Sequence, residues 1–292
     1  MSKPIEELTF ADNFMFGAVL ARNIDLCKEI LEIILDKKIG RISYSNTEQY
    51  FEATPDSRAV YLDVYLEDDM SKAYDMEMQA YDEPDIAARS RYYQANVDIN
   101  LMAKGMEYKD LRESYIIFIC TRDYFGHGLR KYTYENICHE TGDSLGDRTR
   151  KIFLNAGGMD DTISEELREL LNYVAGKGAH NDLTRRIDAE VISARKDRRV
   201  KMSYLAYDLA LQKSRNDGWN DGWNDGIEHR LLEQICTKLK KGKSNAQIAD
   251  ELEESPENID RITGIARDFA PEYDLKKISE KLHEKDKLQK IQ

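Results

Sequence analysis

Arg58-Ala-Val-Tyr-Leu-Asp63-Val-Tyr-Leu-Glu67 and Lys72-Ala-Tyr-Asp75-Met-Glu77-Met-Gln79-Ala-Tyr81 decide the fold, because both alternate with a period of two and read as neighbouring β-strands. Side chains alternate across a strand, so Tyr61, Asp63, Tyr65 and Glu67 share one face while Val60, Leu62, Val64 and Leu66 share the other. On the second segment Asp75, Glu77, Gln79 and Tyr81 lie opposite the apolar Tyr74, Met76 and Met78. A hairpin centred near Met70 makes Asp63 and Glu77 equidistant from the turn and sets their Cβ atoms ~5 Å apart. Two carboxylates that close repel unless a proton or a cation lies between them, and a hard divalent ion with phosphate as a further ligand fits the gap. The alternative is a solvated acidic face on a half-exposed hairpin.

Upstream, Leu26, Cys27, Ile30, Leu31 and Ile34 recur at helical spacing within residues 9–36. Thr9 followed by Asp12 resembles a capping box, Arg22-Asn23 marks a break into two helices, and Gly40 ends the run. A strand is expected over residues 41–51. Downstream, Pro84 suits a first helical position, and the helix it opens runs to Met102 and is stopped by Gly105. Ile86, Ser90, Tyr93, Val97 and Leu101 stack along one of its faces. Ser114-Tyr-Ile-Ile-Phe-Ile-Cys-Thr121 is a continuous apolar run of strand length, the mark of a strand buried on both faces. Further short strands fall at residues 131–138 and 151–155. Helix, strand, strand, strand, helix, strand implies a mixed sheet flanked by helices.

From about Ser164 onward the pattern is helical only, with Val200, Tyr204, Tyr207 and Leu211 forming one stripe. Residues 216–227, Asn-Asp-Gly-Trp-Asn-Asp-Gly-Trp-Asn-Asp-Gly-Ile, repeat every four. As a helix they line up Gly218, Gly222 and Gly226 for a close helix approach, with Trp219 and Trp223 stacked beside them; because Asn, Asp and Gly are poor helix formers, a hinge competes. The acids do not occupy the positions of a calcium-binding EF-hand. Beyond the repeat, Ser244 and Ser255 are N-cap candidates for two short helices that resemble a helix-turn-helix. The second carries Glu257 and Asp260 against Arg261 and Arg267, a poor recognition helix, so packing for oligomerisation is the favoured role. The Lys- and Glu-rich tail after Asp274 reads as a solvated or frayed helix.

A chain of 292 residues buries a real core, 41% hydrophobic residues exclude wholesale disorder, and 34% charged residues suit long solvated helices. A formal net charge of -12 argues against nonspecific nucleic-acid binding by the whole surface. The charge is uneven: Glu67 to Asp85 is acidic, whereas Arg185, Arg186, Arg195, Lys196, Arg198 and Arg199 lie in a basic stretch, either a local patch or a solvated helix face. Cys27, Cys120, Cys138 and Cys236 are too scattered for a zinc framework and read as reduced thiols. No apolar run reaches the ~18 residues of a membrane span, and the first residues lack a signal-peptide pattern, so a cytoplasmic protein without membrane attachment is expected.

Asp on the second strand and Glu-x-Gln on the third, within that order of elements, resembles the PD-(D/E)XK nuclease core. Leu8-Thr-Phe-Ala-Asp12-Asn-Phe-Met-Phe16, Tyr74-Asp-Met-Glu77-Met-Gln79, Arg89-Ser-Arg-Tyr-Tyr-Gln94 and Tyr115-Ile-Ile-Phe-Ile-Cys120 are similar to the recombination-promoting nuclease and PD-(D/E)XK family transposase group. The repeat helix and the two-helix module are similar to that group as well.

The resemblance implies an α/β fold: a restriction-endonuclease-like core, its mixed central sheet flanked by helices, followed by an all-α C-terminal region. It divides the chain into a nuclease-like domain over 1–160, a helical extension with the glycine-repeat helix over 161–241, and a helix-turn-helix-like module and tail over 242–292. It implies DNA as substrate and Mg2+ or Mn2+ as cofactor, in an endonuclease tied to recombination or mobile elements, with a homo-oligomer formed through the C-terminal helices. Asp63 and Glu77 match the metal-binding catalytic carboxylates. Gln79 is the third catalytic position, where the wider superfamily places lysine; an amide orients a water but supplies no positive charge. Gln94, Arg89 and Asp12 are the supporting candidates. A surface ion pair explains Arg89 equally, and helix capping explains Asp12. Asp75 is a flanking carboxylate. The competing reading is a catalytically weak or inactive relative that binds DNA or oligomerises.

Overall fold

A computed structural model of the chain describes residues 3–51, 60–80, 84–102 and 104–290, with the backbone alone described for 44–51, 60–61, 221, 224 and 286–290. Arg58, Ala59 and Tyr81, at the outer ends of the two decisive segments, lie outside the described residues, as do the side chains of Val60 and Tyr61. The strands are β1 (Ile42–Phe51), β2 (Val60–Asp68), β3 (Lys72–Gln79), β4 (Glu113–Cys120), β5 (Lys131–Tyr134) and β6 (Thr149–Asn155). Among the described residues they form one six-stranded sheet in the order β1-β2-β3-β4-β6-β5. Pairing is antiparallel from β1 to β3, parallel between β3 and β4 and between β4 and β6, and antiparallel again at β5. The chain divides into two compact units, Met1–Ala206 and Tyr207–Gln292.

In the first unit the sheet is covered on both faces. Val64, Leu66, Tyr74, Met76 and Met78 pack with Tyr115, Ile117 and Ile119 against α1 (Asn13–Arg22), α2 (Ile24–Leu35), α4 (Glu165–Val174) and α5 (Asp182–Lys196). Ile116, Phe118, Cys120, Tyr65 and Phe153 form the other core, under α3 (Ile86–Leu101). The apolar run on β4 is buried on both faces, as a central parallel strand requires. The mixed sheet flanked by helices and the helical remainder are thus as the sequence predicts.

Several local expectations change. Asp12 stands at the N-cap of α1 but caps nothing in it; Asn23 caps α2 instead, accepting from the Leu26 N–H. Pro84 precedes α3, whose N-cap is Asp85 in a left-handed conformation (φ 63°). Leu62, expected on the face of Val64 and Leu66, packs in the α3-side core with Tyr65. The β2–β3 register runs no further than Val64 opposite Met76, so the strand is released at Asp63 from the ladder that would hold its alternation.

The hairpin turn is organised by Asp68, which is buried. One oxygen accepts from the Met70 and Lys72 N–H groups, both at 2.9 Å, and the other from Tyr74 Oη at 2.9 Å and the Gly40 N–H at 3.3 Å. A Cβ at Gly40 would lie 2.9 Å from Met70 Cγ and meet the Asp69 carboxylate, so both of these exposed side chains would have to shift to admit one.

The third core belongs to the second unit, where the end of α6 (Arg198–Lys240) packs with α7 (Asn245–Leu252), α8 (Pro256–Ala266) and α9 (Leu275–Lys290). Ser244 and Ser255 cap α7 and α8 as expected. The tail is not frayed throughout: Ile278 and Leu282, one turn apart, are buried in this core. The glycine repeat is helical and not a hinge. Among the described residues, nothing outside the helix's own backbone lies within 4 Å of a Cβ placed at Gly218, Gly222 or Gly226, so no close helix contact is seen there. Trp219 and Trp223 stack at 5.5 Å and stay 65% and 59% exposed. No described helix is long and apolar enough to cross a membrane.

Candidate active site

Beyond Val64 opposite Met76, the same count along β2 and β3 brings Asp63 opposite Glu77. Here side chains take over the ladder. The Asp63 N–H donates to Glu77 Oε1 at 2.8 Å, and the Met78 N–H donates to Asp63 Oδ2 at 2.9 Å. Each carboxylate is therefore fixed by the backbone of the opposite strand. On α1, Gly17 runs alongside, where a Cβ would sit 3.7 Å from the Asp63 carbonyl oxygen.

The acidic face is not solvated. Asp75, Glu77 and Gln79 are 1%, 4% and 4% exposed, because after β3 the chain returns along α3 over the same face of the sheet. Burial pushes the Glu77 carboxyl well above the ordinary carboxylate range, and the charges of Asp63 and Asp75 push it further. Asp75 is raised likewise, first by burial and then by Asp63, and its carboxyl lies against that of Glu77. Among the described residues no N–H or O–H donates to either oxygen of Asp75. Burial and the neighbouring carboxylates thus both disfavour the ionised forms of Asp75 and Glu77. A proton shared within the cluster relieves this, and so does a cation.

Gln79 ends β3 with its Oε1 accepting from Arg89 Nη1 at 2.8 Å. The Arg89 guanidinium also donates to Tyr93 Oη at 3.1 Å and lies 5.5 Å from the ring centres of both Tyr93 and Phe118. Phe118 is the β4 residue in register with Glu77. Burial, with the Glu77 charge as the next cause, pushes the Tyr93 hydroxyl up to about 12.

The remaining sequence candidates fall elsewhere. Gln94 donates to Ser114 Oγ at 2.7 Å and Asp98 at 3.0 Å, beside the start of β4, whereas Gln79 pairs with Cys120 at its end. That is about 20 Å along the strand. Asp12 forms an ion pair with Lys3 at 2.8 Å and accepts from the Thr9 N–H and hydroxyl. Glu67, on the same face as Asp63, pairs with Arg112 near the turn. Tyr93 and the buried Asp75 are what sequence reasoning undervalued. The spacing of Arg89 and Tyr93, one helical turn, was the available signal.

Among the described residues no set of three or more His, Cys, Asp or Glu is arranged to hold a metal ion. The donor set still fits one class: magnesium takes oxygen ligands and is held by one or two carboxylates completed by water and substrate phosphate. Asp63 and Glu77 supply two such carboxylates, and the Asp75 oxygens without a donor add to the negative field.

Residues 10–174, more than half of the chain, match the family model described as PD-(D/E)XK nuclease family transposase. No curated protein and no solved structure gives a match.

Proposed function

The chain belongs to the PD-(D/E)XK nuclease family transposases, and on that premise we propose that it is a metal-dependent endonuclease hydrolysing DNA phosphodiester bonds in recombination or at mobile elements. One observation carries the reading: the reciprocal hydrogen bonds that fix Asp63 and Glu77 across the end of the β2–β3 ladder, beside the buried Asp75. A fixed pair of carboxylates, Glu77 buried and Asp63 half-buried, costs stability and is retained where it serves chemistry.

Asp63 and Glu77 would hold the ion, Mg2+ or Mn2+. When bound, such an ion supplies Lewis acidity to the scissile phosphate and offsets charge developing on oxygen. The side chains keep their oxygens in place through the opposing backbone, so no reorganisation is needed as substrate arrives. The Gln79 amide donates a hydrogen bond to the attacking water or a phosphate oxygen. Incubating the full chain with supercoiled plasmid in magnesium, manganese or chelator tests this, with Asp63→Ala and Glu77→Ala in parallel. Metal-dependent nicking lost in both variants supports the assignment; absence of nicking in every metal, with folded protein, refutes it.

A second reading has its own observation. Exposed Trp219 and Trp223 beside the open glycines make α6 suited to pairing with a second copy, and self-association through the C-terminal helices is compatible with cleavage. If cleavage fails, a DNA-binding or oligomerising relative is the reading that survives.

A further inference from the structure

We infer that Arg89 is a positioning residue that acts through Gln79, holding the amide with its NH2 edge as the donor, so that glutamine and arginine together replace a lysine. This rests on the nuclease reading of Asp63 and Glu77. The orientation follows from chemistry. Arginine has only donors, so the edge of the amide that meets it is the carbonyl oxygen, and planarity puts Nε2 on the other edge. The contact, at 2.8 Å, is charge-assisted, which polarises the amide and strengthens the donor at its far end. The charge that a lysine would carry at this position is thereby placed one amide further back.

Arg89 is itself held. Tyr93 Oη takes its second amino group at 3.1 Å, and the rings of Tyr93 and Phe118 lie on the guanidinium at 5.5 Å each. Tyr93 is one turn along the same helix, and Phe118 is the strand neighbour of Glu77, so the helix and the sheet both fix the guanidinium. Its field reaches the carboxylate cluster, where it opposes the effect of burial on Asp75.

The test compares Arg89→Met in the native chain and in Gln79→Lys, with Gln79→Glu as a third variant, using plasmid nicking for kcat and DNA affinity in chelator for binding. Arg89→Met is expected to lower kcat by ~10–100-fold, in line with loss of one preorganised donor, while affinity in chelator changes less than ~3-fold. In Gln79→Lys the same substitution is expected to cost under ~3-fold, because the lysine carries its own charge and needs no orientation. Gln79→Glu keeps the contact with Arg89 and removes the donor, so it should melt no lower than the native chain and lose ~100-fold in kcat. Arg89→Lys replaces Arg89→Met if the latter does not fold, and an intermediate loss is then expected. An equal cost of the arginine substitution in both backgrounds, a loss seen only in affinity, or a fully active Gln79→Glu overturns this inference and leaves the nuclease reading standing. A native chain that cleaves with no metal overturns both.

Discussion

Asp75→Asn should stabilise the protein in the absence of metal, and by more at high pH than at low. Asp75 and Glu77 sit two residues apart on one strand face with their carboxyls in contact; even at the ~7 Å of the strand rise, an effective dielectric of ~20 makes the repulsion about 2 kcal/mol when both are ionised, which is a lower bound. Asp63 lies on the diagonal across the ladder at a similar ~7–8 Å and adds a comparable repulsion of ~2 kcal/mol. Against this, a buried amide leaves polar atoms of its own unpaired, at ~1–3 kcal/mol. The balance is a gain of ~1–3 kcal/mol at pH 8. The pH dependence follows from the raised carboxyls of Asp75 and Glu77. Folded protein keeps protons that the unfolded chain releases above about pH 4, so stability falls as pH rises from there toward the folded values. Asparagine removes one of the two groups, and the advantage of the variant should therefore be smaller at pH 5, where less of the repulsion within the folded cluster is present, than at pH 8. Urea unfolding of the full chain in chelator at pH 5 and pH 8 measures both gaps. Excess manganese should then stabilise the native chain more than the variant, because binding to the folded state adds stability by mass action. A variant less stable than the native chain at pH 8 in chelator, or a gap that does not widen with pH, refutes the picture of an under-neutralised cluster.

At the hairpin turn, Asp68→Ala leaves two turn N–H groups, the Gly40 N–H and the Tyr74 hydroxyl without their acceptor; a loss of ~3–5 kcal/mol is expected, against ~1–2 kcal/mol for Asp68→Asn, which keeps one accepting oxygen. Equal losses in the two variants by urea unfolding exclude the carboxylate as the organiser of the turn. For α6, replacing Trp219 and Trp223 together by Lys should convert any oligomer of the native chain to monomer in light scattering, with unchanged helicity because both rings are exposed. An oligomer that survives the double substitution places the interface elsewhere.

The sheet and the carboxylate pair were legible because both depend on counting: period two gives the strands, and equal distance from Met70 sets Asp63 against Glu77. Burial of the acidic face was not legible, since it arises from a helix that returns over the sheet from another part of the chain. Composition counts charges; it does not say which of them a helix covers. Arg89 and Gln94 illustrate the next limit. A helix turns 100° per residue, so Tyr93 lies 40° from Arg89 around the axis whereas Gln94 lies about 140° away. Only a known helix phase separates them. Asp12 failed for a different reason: an N-cap residue has a choice of donors, and Lys3 and Thr9 outcompeted the helix. The tail looked solvated because Lys and Glu outnumber its apolar residues, yet two of these, a turn apart, were enough to seat it.

β3 divides its labour by parity. Its even-numbered residues Tyr74, Met76 and Met78 belong to the large core, and its odd-numbered residues Asp75, Glu77 and Gln79 belong to the site. The two sets share a backbone but contribute to different free energies. A substitution on the even side disturbs packing and shifts the odd side with it, so stability and activity fall together. A substitution on the odd side removes chemistry and relieves buried charge, so activity falls while stability holds or rises. On the nuclease reading proposed above, such a protein is disarmed far more readily than it is unfolded: one change at an odd position of a single strand would leave an intact scaffold without its chemistry, and selection for stability alone would drive it in that direction.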